Sequence, residues 1–269
     1  MVLNKSWGIA ALACTIFESA LVTANGQSTS GPWTIAYQTG ALTVEAVEQS
    51  ASPQPFTVTL RNTSPRSISA IGLSIGPHDT WTQVDLAPNA HDLAPGATYR
   101  LRLRTQPQDL SGSLRVAAVL FSDGGGDGDP VVLQTLRFSR LGQMLESARF
   151  LGLLQGPGPL RADDTSVGRI RQSLGPPPNS AEEAIAGYTI PLATQQMLRE
   201  ATTTALDAFK AGVALRRASC QMPLDILTNI PASSSARRVQ YLSNLRAQYQ
   251  GTANALSTAW SRDMVEGEQ

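Results

Sequence analysis

The sequence predicts a segregated α+β chain, an antiparallel β-sandwich over residues 31–122 followed by an α-helical region over residues 131–269. Three observations carry this. Apolar and polar residues alternate with period two through the first part, as in strands with one buried face. Beyond Pro130, apolar residues recur every three or four positions, as on helices. Between the two lies Val116 to Val132, VAAVLFSDGGGDGDPVV, within which residues 123–130 read as an Asp- and Gly-rich connecting loop.

In the first part Trp33, Ile35 and Tyr37 alternate, Thr39-Gly40 supplies a turn, and Leu42, Val44 and Ala46 alternate again, which reads as a hairpin. Phe56 to Arg61 is a strict period-two strand closed by Asn62 to Pro65. Ile71, Leu73 and Ile75 continue the pattern until Gly76-Pro77 stops it, and a weaker strand runs from Trp81 to Leu86. After a turn at Leu93-Ala94-Pro95-Gly96, Tyr99 to Arg104 alternates apolar and Arg residues without exception. Short strands with no helix between them match an antiparallel sandwich better than a parallel sheet.

Phe56 to Asn62 followed by Thr63-Ser64-Pro65, with Leu93-Ala94-Pro95-Gly96 before a later strand, resembles the strand-turn rhythm of exported immunoglobulin-like modules. The resemblance covers residues 31–122, without the disulfide and buried-Trp signature of antibody domains. The order of export signal, sandwich, acidic Gly loop and helices also resembles exported proteins of soil bacteria, and that resemblance implies no activity.

Leu114 to Phe121 differs from the other strands. Val116, Ala118 and Leu120 read as one face and Ala117, Val119 and Phe121 as the other, so both are apolar. A strand apolar on both faces needs cover on both, which predicts that part of the helical region packs back onto the sandwich there.

In the helical part Leu133, Leu141, Met144, Leu145, Ala148 and Leu151 share a face until Gly156-Pro157 ends the helix, with Asp129-Pro130 as its start. A short helix follows over Thr165 to Leu174. Ser180 and Glu183 have capping-box spacing ahead of another short helix. The longest candidate runs from Leu192 to about Ala218, with Pro223 and Pro231 bracketing a connector. Val239, Leu242, Leu245, Tyr249, Leu256 and Trp260 then repeat at helical spacing, with Gly251 as a break; such a stripe is core or a contact face for a partner.

The N-terminus carries an export signal, residues 1–24: Lys5, an apolar run from Trp7 to Phe17, and a small-residue cleavage site at Val22-Thr23-Ala24. The run is shorter than the roughly 20 residues of a membrane span, which points to a secreted or periplasmic product. Ala11-Leu12-Ala13-Cys14 faintly resembles a lipoprotein processing site, so lipidation of Cys14 is the alternative. Cleavage near Ala24 leaves Cys220 as the single thiol and excludes an intramolecular disulfide. With 21 Lys plus Arg against 21 Asp plus Glu, the chain has no basic excess for nucleic acid or an anionic membrane surface.

Several motifs touch on chemistry. Gly72-Leu73-Ser74-Ile75-Gly76 matches the G-x-S-x-G of serine hydrolases, yet Leu73 and Ile75 continue a strand and no His follows His91. His78 and His91 sit in turn-rich segments without metal-ligand spacing. Asp123, Asp127 and Asp129 could gather Ca²⁺, but their spacing is not that of an EF-hand loop, and the stretch reads as a solvated connection. Trp33, Trp81 and Tyr99 could form a sugar-stacking platform or belong to the core. No catalytic, cofactor or metal-binding residue is therefore assigned, and no cofactor.

The resulting expectation is an exported, non-enzymatic binding or envelope-associated structural protein whose partner is a protein or envelope component. A carbohydrate-binding module is the alternative and a serine hydrolase the third reading.

Overall fold

The computed structural model describes residues 34–49, 56–76, 80–89, 91–103, 113–156, 164–231 and 233–266. The stretch expected to be an export signal, residues 1–24 with Cys14, as well as Trp33 and His78, lies outside them. The architecture is mixed α+β, with strands in two sheets in the N-terminal half and helices in the C-terminal half.

The three-stranded sheet runs β2 (Leu42–Gln49), β3 (Phe56–Asn62), β6 (Thr98–Leu103), antiparallel throughout. Alternation sends Val58, Leu60 and Leu101 inward and leaves Arg61 and Arg100 outside. There the arginines meet acids of β2, Arg61 with Glu45 at 2.9 Å and Arg100 with Glu48 at 2.8 Å. A bulge at Glu45 shifts the register of β2, so the inward residue after Val44 is Val47, not Ala46.

The second sheet has the order β1 (Thr34–Tyr37), β7 (Ser113–Phe121), β4 (Ile68–Ile75), β5 (Thr80–Asp85), with β8 (Gly126–Gly128) also on β7. Here two expectations are corrected. β1 and β2 do not form a hairpin, and the half is not wholly antiparallel, because β1 pairs parallel to β7. The cause lies in the corner between them. Gln38 N–H donates to Val116 O at 2.8 Å, extending the ladder, and then Thr39 Oγ1 and Gly40 N–H both donate to Asp127. Those bonds pass the chain into the other sheet instead of folding it back. The two sheets enclose one core that includes Val47, Val58, Leu60, Ile71, Leu73, Val116 and Val119.

Six helices follow. Asp129 caps α1 (Pro130–Gln155), its carboxylate accepting from Val131 and Val132 N–H, and Gly156 closes it. Then come α2 (Asp164–Leu174), α3 (Ala181–Ala186), α4 (Leu192–Glu200), α5 (Thr203–Asn229) and α6 (Ser235–Glu266). Ser180 caps α3, as its spacing with Glu183 suggests.

The longest sequence-predicted helix is divided at Ala201-Thr202, where Ala201 is extended and the Thr202 hydroxyl caps α5 by accepting from Ala205 N–H. α5 in turn continues through Pro223. A helical proline lacks the N–H that would bond the carbonyl four residues earlier, here that of Ser219. The Tyr249 hydroxyl of α6 donates to that carbonyl at 3.3 Å. α6 also runs unbroken through Gly251.

The helical half covers the outer face of β4 and β7, as the two-sided strand requires. Val132, Leu133 and Leu136 of α1 pack on Ala70, Ala117, Ala118 and Leu120. The division of faces differs from strict alternation because the β4–β7 pairing slips where Gly72 meets Ala118 and Leu73 meets Val116. The extra residue, Ala117, turns outward with Ala118, so Val116, Val119 and Phe121 face the intersheet core. α6 adds a second contact, Leu256 and Ala259 against Ala87 of the 3₁₀ turn Ala87–Asn89.

Candidate functional site

The polar side chains that suggest chemistry are placed first by what they bond. Asp123 is paired with the guanidinium of Arg66, whose hydrogen bonds hold its carboxyl below the usual range despite some burial. Asp127 accepts from Thr39 and Gly40, and Asp129 caps α1. The three carboxylates therefore point to three separate partners. No group of three metal-ligating side chains occurs among the described residues. The stretch is also not a free connection: Gly126–Gly128 pairs with β7, Asp129 N–H donates to Ala117 O at 2.9 Å, and Gly124 is buried against the Arg262 backbone.

Ser74 of the G-x-S-x-G sequence lies within β4, paired with Trp81 and Arg115, and is 2% exposed. The first glycine of that motif has a packing reason. A Cβ on Gly72 would stand 2.5 Å from Val132 Cγ1, so the glycine lets α1 lie against the sheet. His91 is exposed. Trp81 sits on β5 and Tyr99 on β6, in different sheets, and Tyr99 packs against the intersheet core.

Two buried ionic clusters were not legible in the sequence. Arg140 of α1, 1% exposed, bonds Asp85 of β5 through Nε and Nη2, Asp263 of α6 through Nη1 at 2.8 Å, and Ser69 of β4 through Nη2. Burial opposes its charge, but the carboxylates of Asp85 and Asp263 outweigh that and hold the guanidinium above its ordinary value. Asp263 is pushed up to about 6 by burial, against the pull of Arg140. Its Oδ1 is buried with no hydrogen-bond partner among the described residues. This cluster ties two strands to two helices.

In the second cluster the Glu146 carboxylate, fully buried, receives Arg217 at 2.9 and 3.0 Å, Arg149 at 3.1 Å and the Tyr188 hydroxyl. Burial and then Glu146 push the Tyr188 phenol well up. Arg149 and Arg217 also donate to the carbonyls of Ser173, Leu174 and Pro176, fastening the end of α2 and the Pro-rich loop after it. Cys220 is fully buried beside Tyr249, and burial pushes its thiol up to about 12, so it behaves as a small apolar side chain.

What remains is apolar surface. The C-terminal stripe named from the sequence is core beyond its first residue: Leu242, Leu245, Tyr249, Leu256 and Trp260 are buried, whereas Val239 is 56% exposed. The exposed stripe lies instead on α5, where Leu215 is 39%, Met222 46% and Ile226 46% exposed. Ala211 and Ala218 share that face at helical spacing. The charges beside it are turned to partners of the same chain, Asp225 to Arg171 at 2.6 Å, Arg216 to Ser147 and Arg217 to Glu146. Among the described residues no helix is long and apolar enough to cross a membrane. No family model, no curated protein and no solved structure matches the chain.

Proposed function

We propose that this is an exported binding or envelope-associated structural protein that works by surface complementarity and performs no catalysis. One observation carries the reading. Among the described residues Asp123, Asp127, Arg140 and Glu146 bond partners within the fold, while the outer face of α5 leaves Leu215, Met222 and Ile226 exposed on one stripe. Large apolar side chains aligned on one helical face are a common anchor for a partner helix. In this reading the N-terminal half is an immunoglobulin-like sandwich serving as a rigid base. Its support is that the chain crosses between the two sheets repeatedly, β3 to β4 and β5 to β6 among the crossings. Export rests on the Lys5 to Ala24 pattern.

The test is affinity capture from the envelope fraction of the cell that makes the protein, with the natural chain and with Leu215→Glu/Met222→Glu. Partners that disappear with the variant support the reading. Identical partner sets with both chains contradict it.

A further inference from the structure

We infer that the outer face of α5 pairs with the same face of a second copy of this chain, antiparallel about a twofold axis passing beside Ala218 and Ser219. The inference rests on the α5 face being the recognition surface and names its partner. The order of residue sizes along the stripe is what selects a second copy. Ala211, Leu215, Ala218, Met222 and Ile226 follow one another at spacings of four, three, four and four residues, the rhythm of helix-helix seams.

Turned about an axis between Ala218 and Ser219, Leu215 comes to face Met222 of the other copy, and Ala211 comes to face Ile226. The small Ala218 and Ser219, both exposed, fall at the crossing point, where small side chains let two helices approach closely. Each bulky residue therefore finds an apolar counterpart, as an isologous contact requires.

Charge agrees with this choice. Asp225 pairs with Arg171, Lys210 lies 4.0 Å from Asp207, and Arg216 and Arg217 turn inward, so the charges nearest the stripe are already matched within the chain. In the antiparallel arrangement Asp225 falls opposite Gly212, and Asp207 opposite Ile230. No like charges meet. One helix face buries less than the roughly 800 Å² per partner of a standard interface, so association is weak and depends on concentration.

Two measurements on the full chain test this. Sedimentation velocity from about 1 to about 100 μM should show a monomer-dimer equilibrium, and Leu215→Glu should abolish it without lowering the melting temperature. In a Cys14→Ser background, where buried Cys220 stays unreactive, oxidised Ser219→Cys chains should cross-link to themselves. Leu215→Cys chains should cross-link to Met222→Cys chains in a mixture, at least tenfold more than to themselves. A chain monomeric at the top concentration, or a dimer that ignores Leu215→Glu or lacks the Ser219→Cys cross-link, overturns the inference. If that monomer still loses its envelope partners in Leu215→Glu/Met222→Glu, the second copy is wrong and the binding face stands. If it keeps them, both fail.

Discussion

Arg140 and Asp263, separated by 123 residues in the chain, meet at 2.8 Å with each side chain 1% exposed, and the same guanidinium holds Asp85 on the far side. One cation thus joins α1, α6 and the end of β5. The pair sits where the two halves touch, beside the apolar contacts of α1 on β4 and β7 and of α6 on the 3₁₀ turn. Desolvating these groups is unfavourable, so the cluster fixes geometry more than it adds net stability.

Removing the cation should expose that role. Arg140→Ala leaves Asp85 and Asp263 buried beside each other without a counter-charge, and such a break costs about 3–5 kcal/mol. Urea denaturation should show stability lowered by that amount, with both halves unfolding together or α6 detaching first. Stability within about 0.5 kcal/mol of the natural chain would mean that the cluster is idle.

Asp263 gives the joint a defined pH dependence. Its pKa is raised from 3.8 to about 6 by burial, so the folded chain holds the proton more tightly than the unfolded chain. The stabilisation from protonation is fully present below 3.8 and is lost as pH rises through about 6. Relative to Asp263→Asn, which cannot titrate, the natural chain should gain on the order of 3 kcal/mol between about pH 7.5 and about pH 4. Asp123, held low by Arg66, works in the opposite sense in both chains and cancels in the comparison. Parallel stability-pH curves for the two chains would contradict the assignment.

The bond from Tyr249 to the carbonyl freed by Pro223 can be tested with a double-mutant cycle. Tyr249→Phe should destabilise by about 1–3 kcal/mol, since a buried carbonyl loses its donor. In a Pro223→Ala background the backbone N–H returns to Ser219 O, and the same change should cost less by about 1 kcal/mol. Additive effects would show that the hydroxyl serves another acceptor.

The two faces of β7 can be separated by substitution. Leu120 contacts α1, whereas Val119 belongs to the intersheet core. Leu120→Asp should loosen the helical half, making α1 amides exchange faster while the three-stranded sheet stays protected. Val119→Asp should deprotect both sheets. The same exchange pattern for both would place the faces wrongly.

Much of this fold was readable from residue patterns. Period-two alternation marked β3, β4 and β6, and Asp129-Pro130, Gly156 and Ser180 marked helix ends, because these signals are local. What escaped was set by distant partners. The bulges at Glu45 and Ala117 add one residue and leave composition unchanged, so Ala46 and Val47, or Ala118 and Val119, trade faces without a sequence signal. Thr39 as a turn was correct locally, but Asp127, 88 residues away, decides where the turn leads. Pro223 reads as a breaker until Tyr249 is seen to satisfy the freed carbonyl. The α5 stripe was hidden for a similar reason: α5 is apolar on two faces, and only packing shows that Phe209, Val213, Cys220 and Leu224 are buried while Leu215, Met222 and Ile226 stay outside.

Polar clusters fix how the elements meet, and in the proposed function the apolar face of α5 does its work. The most direct measurement is the fraction of envelope partner retained by Leu215→Glu/Met222→Glu, taken with the melting temperature of the same sample. Retention should fall at least tenfold while melting stays within about 2 °C of the natural chain, as exposed substitutions allow. Retention at the natural level with unchanged melting would contradict a binding role for this face.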